Sequence, residues 1–373
     1  MRQESCRLRD SGETHRPLIL NYRWDHFVTM SSTPNERITP STLYPDGWFV
    51  LCFASELKPK AVKTVPFMGE ELVLYRTESG AVRAVEPFCP HLGAHLGRGG
   101  KIVGETIVCP FHHFAFTADG HCLHTPSGIK PPQARLTHRR VQEWNGLIFV
   151  WQGSDVPHAI WKLPDLQLAG FPTPLRSHHN ARGNLQNIGE NVFDLNHFAP
   201  VHSWMNAVMQ PPIAEGHQLT VQYTMEVLGL AIEMKMTLYG LGLTVVDVTQ
   251  KRLGLHIILM VTPTQIAPQQ WSLKDFMVLR VERLSMFPRW IRNTLNLALT
   301  AAAYHFWFIP EAKKDLHIWA YRNYGAKPKL TVNEGPIMIF RSWTAQFYPP
   351  HEVAPEKLPL TGSLIASTRD IHT

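Results

Sequence analysis

Two short pairs of cysteine and histidine constrain this chain more than any other feature of its sequence. Cys89 and His91 are separated by one residue, and Cys109 and His112 by two. Each pair offers one thiolate and one imidazole from a single short loop, and glycines after the first pair allow a tight turn. Two such loops, side by side, can hold a small metal cluster between two sulfur and two nitrogen atoms. The spacing therefore predicts a metal centre built from these four residues.

The mixed composition of the pairs favours a [2Fe–2S] cluster of the Rieske type. In a Rieske centre one iron takes two thiolates and the other two imidazoles, which raises the reduction potential to roughly −150 to +300 mV. A four-ligand zinc site is the alternative, because zinc also binds two Cys and two His. Zinc fingers, however, usually take their cysteines from C-x-x-C pairs. We expect all four residues to bind the cluster.

Length and composition indicate a globular chain in a reducing compartment. The 373 residues, 44% of them hydrophobic, exceed what one hydrophobic core usually organises, so we expect two domains. Five cysteines are an odd number, and no secretory signal is present, which argues against a disulfide framework and for a cytoplasmic protein. The net charge of +6 comes from scattered lysines and arginines, so nucleic-acid binding is not expected.

Hydrophobic patterning divides the chain into three parts. Residues 1–41 are polar and of mixed charge, and we interpret them as a weakly ordered leader. Residues 42–155 contain short β-rich runs separated by Gly, Pro and Asp turns, which predicts a small all-β domain around the cluster. Residues 156–373 combine alternating strands with helical segments. The predicted fold class is α+β, with an antiparallel sheet covered by helices in a helix-grip arrangement.

The longest apolar stretch runs over residues 295–309 and is too short to span a bilayer with ease. We expect it to form a buried helix, and we expect no transmembrane segment. Its Trp, Phe and Leu residues, together with the inward positions of the strands, suggest an apolar cavity, although such residues are more often plain core. The strand positions in question are Met225, Met234, Met236, Leu238, Ile257 and Leu259.

A second group of candidate ligands lies in the segment 187–202. Asp194 and His197 are three residues apart and share a helix face, whereas His197 and His202 are five apart and do not. Pro200 disfavours a helical residue before it, so we expect the helix to end near Ala199 and His202 to come round to His197. Two imidazoles need one carboxylate to form the facial triad that leaves half of an iron's coordination sphere open.

The third ligand must come from far downstream. Glu311 and Asp315 are four residues apart, so a helix would place both on one face and geometry alone allows either.

Both motifs resemble those of the Rieske non-haem iron oxygenases. The sequences Cys-Pro-His and Cys-Pro-Phe-His at 89–91 and 109–112 look like the family's cluster motif, which also occurs in Rieske electron carriers. The pattern N-x-x-D-x-x-H-x-x-x-x-H of the family's catalytic domain is matched by Asn191, Asp194, His197 and His202. The resemblance implies that the two histidines bind a mononuclear iron. It also implies that Asp194 bridges an iron-bound histidine to a cluster histidine of a neighbouring subunit.

The downstream sequence is similar to that of the steroid-ring members, such as the 3-ketosteroid 9-alpha-hydroxylases and cholesterol 7-desaturases. In these enzymes an aspartate precedes a short segment ending in Ile-Trp, as Asp315 precedes Ile318 and Trp319. The tail 333–348 also resembles theirs. This likeness favours Asp315 as the third iron ligand and leaves Glu311 as its neighbour. The aminopyrrolnitrin-type arylamine oxygenases share the same ligand layout.

The resemblance implies the terminal oxygenase of a Rieske mono-oxygenase system. Its expected cofactors are a [2Fe–2S] cluster and a mononuclear iron(II), with O2 as co-substrate and NAD(P)H acting through a flavin or iron–sulfur reductase, or a ferredoxin. A homotrimer that hydroxylates or desaturates a small hydrophobic substrate such as a steroid is expected. N-oxygenation of an aromatic amine is the alternative activity, and a Rieske electron-transfer protein without oxygenase activity is the alternative class.

Overall fold

The structure is a computed structural model that describes residues 44–126, 128–153, 160–325 and 327–348. The predicted leader, residues 1–41, lies outside the described residues.

Eleven short strands form three antiparallel sheets in the N-terminal part of the chain. The strands are β1 (Gly47–Phe53), β2 (Val62–Phe67), β3 (Glu70–Arg76), β4 (Val82–Val85), β5 (Lys101–Val103), β6 (Thr106–Val108), β7 (Ala115–Phe116), β8 (Cys122–His124), β9 (His138–Arg139), β10 (Val141–Trp144) and β11 (Leu147–Gln152). The sheet orders are β1-β11-β10, β2-β3-β4-β9 and β5-β6-β7-β8. The β-rich runs predicted from sequence, WFVLCFA, ELVLYR, AVRAVEPF and LIFVWQG, overlap β1, β3, β4 and β11 respectively, which confirms a small all-β unit.

One antiparallel sheet of eight strands organises the C-terminal part. Its strands are β12 (Leu175–Arg182), β13 (Met205–Met209), β14 (Ile213–Glu215), β15 (Gln218–Val227), β16 (Leu230–Tyr239), β17 (Thr244–Gln250), β18 (Leu255–Ala267) and β19 (Gln270–Val281). The order of the strands is β12-β19-β18-β17-β16-β15-β13, with β14 also paired to β15. Alternate residues of β15 are buried from Leu219 to Met225, as the sequence pattern predicts.

The central strands of this sheet are covered on both faces. On one face Ile258 and Met260 of β18 belong to a core with Trp48 and Phe149 from the N-terminal sheets. On the other face Ile257 joins a second core, which includes residues of the helices. A strand buried on both sides loses the alternation of apolar and polar residues. The sequence predicts a more fully buried strand over 256–261 from its continuous apolar run, residues 257–261, and this segment lies within β18.

Five α-helices accompany the sheet in the described residues. Their bounds are α1 (Gln186–Phe193), α2 (Phe198–His202), α3 (Arg289–Ala303), α4 (Ile309–Tyr321) and α5 (Gly335–Thr344), and a π-helical turn over Tyr304–Phe308 joins α3 to α4. The sequence predicts helices over 295–309 and 310–321, and both segments are helical. No helix in the described ranges combines the length and the apolar character needed to cross a bilayer.

The burial of α3 is the reverse of what its apolar sequence predicts. Its buried residues are the polar Asn296 and Thr300. Pairing of β12 with β19 stops at Met277. Beyond that point the amides of Leu279 and Val281 donate to the side-chain oxygens of Thr300 (3.1 Å) and Asn296 (3.0 Å). Buried backbone amides need acceptors, so the polar side of α3 faces the sheet.

Apolar residues of α3 therefore lie on the sides of the helix that face outward. Trp290, Leu295, Leu297 and Leu299 are exposed, and so are Met286 in the 3-10 turn before α3 and Phe306 in the π-helical turn after it. The prediction of a buried helix is wrong for these residues, and the leucines do not contribute to a cavity beneath the sheet. Within 295–309, Phe308 and Ile309 do pack against the core.

Gly189 of α1 provides a test of the packing between α1 and α5. A Cβ atom at Gly189 would lie 2.5 Å from the ring of Phe340, whereas one at Gly335, at the start of α5, would have no neighbour within 4 Å. We predict that Gly189→Ala lowers the free energy of unfolding by about 2 kcal/mol through overpacking. Gly335→Ala should leave it unchanged or slightly raised, because alanine favours helix. Thermal unfolding of both variants measures the difference; equal melting temperatures would contradict this packing.

Candidate metal centres

Two loops with the same backbone hydrogen bonds carry the four predicted cluster residues. In each loop the cysteine amide donates to the carbonyl five residues on, at 2.8 Å for Cys89 and 2.9 Å for Cys109. The cysteine carbonyl accepts from the amide four residues on, at 2.9 and 3.1 Å. That fourth residue is Gly93 in one loop and His113 in the other, and both have positive φ, 74° and 55°. The two loops thus form a matched pair, and His113 is the exposed residue that completes the second turn.

The side chains of the two loops fit a [2Fe–2S] cluster. Cys89 and Cys109 are buried and share a hydrogen bond. The imidazole centroids of His91 and His112 lie 4.8 Å apart. Nδ1 of His91 is buried and has no hydrogen-bond partner within the described part of the chain, which leaves a nitrogen for a ligand. Burial raises the pKa of the Cys89 thiol to about 11, so an unliganded site would keep its proton.

The second group of predicted ligands also comes together. One ligand atom each from His197, His202 and Asp315 lies within 4.8 Å of the other two. The imidazole centroids are 5.2 Å apart, and Nε2 of His202 lies 3.2 Å from Oδ1 of Asp315. Two imidazoles and one carboxylate on one side of a small space are the donor set of a facial triad.

The chain path that brings the two histidines together differs from the prediction. Helix α1 ends at Phe193, Asp194 is extended, and a 3-10 turn over 195–197 leads into α2. Pro200 lies in the first turn of α2 and does not end it, so the predicted helix end near Ala199 is wrong. A proline there removes no helical hydrogen bond, because the first amides of a helix have no partner within it. The two imidazoles nevertheless converge, as predicted.

Each histidine is held at Nδ1 by an oxygen atom of the protein. Nδ1 of His197 lies 2.5 Å from the backbone carbonyl of Asp194, and Nδ1 of His202 lies 2.7 Å from Oε2 of Glu311. An acceptor at Nδ1 favours the neutral tautomer in which Nε2 carries no proton when it binds a cation. Both Nε2 atoms are therefore prepared to bind a cation.

Glu311 and Asp315 occupy opposite sides of His202. Glu311 contacts Nδ1 and also accepts from Nζ of Lys314 at 2.8 Å, while Asp315 contacts Nε2. Burial alone lowers the pKa of His202, but hydrogen bonds to Asp315 and Glu311 and their charges raise it above its usual value. Of the two carboxylates that the sequence left open, Asp315 is the one grouped with both imidazoles, and Glu311 orients His202.

Asn191 and Asp194 lie on the His197 side of the group. Nδ2 of Asn191 is 3.1 Å from Nε2 of His197 and 3.2 Å from Oδ2 of Asp315. Oδ2 of Asp194 lies 3.6 Å from Nδ1 of His197. Burial raises the pKa of Asp194, but the hydrogen bond and charge of His197 outweigh it and lower the pKa overall.

Two features of the site were missed by sequence reasoning. Trp204 stacks on His202 at 4.6 Å between ring centroids and lies 6.2 Å from Trp307. Its position two residues after His202 was the available signal. The buried Glu190 pairs with Arg322 and Arg341, the latter at 2.6 Å, and so ties α1 to the end of α4 and to α5. No spacing in the sequence predicts that network, because its partners are more than 130 residues away.

Comparison with known proteins finds a match for each of the two parts of the chain. Residues 47–136 match the Rieske [2Fe-2S] domain, and residues 150–348 match the 3-ketosteroid 9alpha-hydroxylase C-terminal domain. The chain is 29% identical to a cholesterol 7-desaturase of Bombyx mori over 83% of this chain and 71% of the relative. It is 25% identical to the oxygenase component of a 3-ketosteroid-9-alpha-monooxygenase of Rhodococcus rhodochrous, over 85% of this chain and 89% of the relative.

A solved structure gives the same fold. Dicamba monooxygenase superposes with a TM-score of 0.64 at 17% identity, over 82% of this chain and 98% of that one. The Rieske domain and the antiparallel sheet with its helices together define a Rieske-type oxygenase, an oxidoreductase. The chain belongs to the family of the 3-ketosteroid 9alpha-hydroxylase C-terminal domain, which covers more than half of its length. The oxygenase class predicted from sequence is confirmed over the simple electron carrier.

The opposite positions of Glu311 and Asp315 predict different effects on metal binding. Asp315→Asn removes a charged donor and should abolish binding of one divalent ion per chain, measured with Co²⁺ or Fe²⁺. Glu311→Gln removes only the anchor of His202 and should weaken binding by about 10- to 100-fold. The cluster spectrum should be unchanged in both variants. If Glu311→Gln abolished binding and Asp315→Asn weakened it, the assignment of the two carboxylates would be reversed.

Proposed function

We propose that this oxygenase uses dioxygen and electrons from a reductase to hydroxylate or desaturate a hydrophobic polycyclic substrate of the steroid class. The observation that carries the proposal is the convergence of two imidazoles and one carboxylate, His197, His202 and Asp315, in a chain that also contains a Rieske domain. The steroid-acting relatives named above support the substrate class.

The two proposed centres would have different roles, electron supply and dioxygen binding. Bound there, the [2Fe–2S] cluster would supply single electrons, and a mononuclear iron(II) would supply open coordination positions for dioxygen beside the substrate. Cys89, His91, Cys109 and His112 would hold the first group, and His197, His202 and Asp315 the second. Glu311 keeps His202 in the tautomer that binds a cation.

The apolar face of the eight-stranded sheet supports a hydrophobic substrate. All six inward strand positions predicted from sequence lie in or against the core between the sheet and the helices, and four of them are buried. They are Met225, Met234, Met236, Leu238, Ile257 and Leu259. Methionines adapt their shape to irregular apolar ligands, which suits a large polycycle.

We also propose a head-to-tail homotrimer, in which the cluster of one subunit faces the mononuclear site of the next. Phe88, Leu92 and Phe111 beside the cluster loops are exposed, and an exposed apolar collar of this kind suits contact with another surface. Asp194, partly exposed and close to His197, is placed to receive a histidine of a neighbour. Heterologous contacts that close give a ring.

The proposed electron donor is a flavin or iron–sulfur reductase, or a ferredoxin, which receives its electrons from NAD(P)H in the cytoplasm. We propose a Rieske domain over 42–155 and a catalytic domain over 156–373; the first matched family range ends at residue 136 and the second begins at residue 150, a few residues before the proposed boundary.

Turnover with a surrogate reductase tests the substrate class. We expect NADH-dependent and O2-dependent conversion of a 3-ketosteroid or a sterol, with gain of one oxygen atom or loss of two hydrogens by mass spectrometry. Arylamines are the comparison set, because related oxygenases of the same ligand layout act on them. Conversion of arylamines without any steroid turnover would overturn the steroid proposal and leave the oxygenase class intact.

A substitution of Asp194 tests the proposed electron-transfer route between subunits. Asp194→Asn should retain the cluster and the mononuclear iron but slow oxidation of the reduced cluster in single turnover by about 10- to 100-fold. Glu226→Gln, an exposed acid on β15, is the matched control and should behave like the parent. Loss of the mononuclear iron in Asp194→Asn would instead assign the residue to metal binding.

A further inference from the structure

A fully buried carboxyl group lies between the eight-stranded sheet and the π-helical turn over Tyr304–Phe308. Asp275 of β19 is 1% exposed. The hydroxyl of Tyr304 donates to its Oδ1 at 2.8 Å, and Oγ of Ser177, on β12, lies 2.8 Å from its Oδ2. Nε2 of His179 lies 2.5 Å from the same Oγ and 3.7 Å from Oδ2. We call these four residues the Asp275 cluster, and it joins β12 and β19 to the turn between α3 and α4.

The strands and α3 place no permanent positive charge beside Asp275 within the described chain. Lys274 and Arg280 of β19 belong to the opposite face of the sheet, because side chains alternate along a strand. On β18 the residue paired with Asp275 is Val261, and the one titratable residue of that strand, His256, also belongs to the opposite face. The two residues of α3 that are buried against the sheet are uncharged.

Two groups that can carry positive charge lie on the helix side of the sheet, His179 of the cluster and Lys313 of α4. Burial lowers the pKa of His179, and the charge of Lys313 lowers it further, so the imidazole is neutral at pH 7. His305, on the π-helical turn itself, is exposed. Burial raises the pKa of Asp275 from 3.8 to about 7, although hydrogen bonds from the two hydroxyls oppose the rise. A buried carboxyl with neutral partners keeps its proton.

We propose that the Asp275 cluster is a proton-dependent latch that holds the π-helical turn, and with it the start of α4, against the sheet. With its proton in place, the carboxyl donates to Ser177, Ser177 donates to Nε2 of His179, and Tyr304 donates to the other carboxyl oxygen. Every polar atom of this chain then has a partner. Loss of the proton leaves a buried charge among neutral groups and reverses the donors between Ser177 and His179, so the turn opens more often.

The latch should weaken as the pH rises. An acid whose pKa is higher in the closed state than in the open state loses closed-state stability as the pH rises from the open to the closed value. For Asp275 this loss runs from about pH 4 to about pH 7 and is complete above that range. Because α4 begins directly after the turn and carries Glu311 and Asp315, opening of the turn would move both carboxylates relative to His202. The inference stands whether or not the proposed steroid activity is correct.

Amide hydrogen exchange of the full-length, cluster-loaded protein tests the latch. Asp275→Asn mimics the protonated acid, because an amide of the same shape offers one acceptor oxygen and a donor. The ratio of parent to variant exchange rates over residues 300–315 cancels the intrinsic effect of pH on exchange. This ratio should rise by about ten-fold or more from about pH 5 to about pH 7.5. Asp247→Asn, at a partly exposed acid of β17 in the same sheet, is the matched control and should exchange like the parent over this segment.

Tyr304→Phe provides a second variant, because it removes the hydroxyl that joins the turn to Asp275. Its exchange over residues 300–315 should be about three-fold or more faster than that of the parent at about pH 5. Two results would overturn the proposal. One is the same pH dependence in the parent and in Asp275→Asn over this segment. The other is an equal change of exchange in β17 and β18, which would assign the carboxyl to the stability of the whole sheet. The visible spectrum of the cluster reports whether each variant is folded.

Discussion

The contact between α4 and the turn that follows α1 is the interaction on which the catalytic half depends. His197 and His202 come from one short segment, but the carboxylate that joins them is on a helix more than 110 residues further on. Glu311 and Asp315, one turn apart on α4, contact the two nitrogens of the same imidazole. The buried Glu190, paired with Arg322 and Arg341, fastens the end of that helix to α1 and α5. Loss of either partner from a buried pair leaves an uncompensated charge, so this geometry is strongly held.

The eight-stranded sheet supplies the surface against which these helices are placed. Its two covered faces pack against different parts of the chain. One face packs on the small N-terminal sheets through residues such as Ile258 and Met260. The other, with its methionines, forms the core beneath the helices. Both faces are buried, so a single sheet couples the Rieske part of the chain to the catalytic part.

Helix α3 shows how a backbone requirement can decide which side of a helix is buried. The free end of β19 needs hydrogen-bond acceptors, and Asn296 and Thr300 provide them. Buried amides need acceptors, so the side of α3 that carries Asn296 and Thr300 faces inward and its leucines are exposed.

Sequence alone indicated the class of this protein. The spacing of Cys89, His91, Cys109 and His112 favoured a Rieske cluster over a zinc site, because each short loop pairs one thiolate with one imidazole, and residues 47–136 match the Rieske domain. Alternating and continuous apolar runs gave the strands, since local burial determines them. Spacing left Glu311 and Asp315 open and the family likeness favoured Asp315, which the tertiary structure groups with both imidazoles. Tertiary structure alone decided how Pro200 is accommodated and which side of α3 is buried. These features depend on contacts between residues far apart in the chain, so local spacing in the sequence does not predict them.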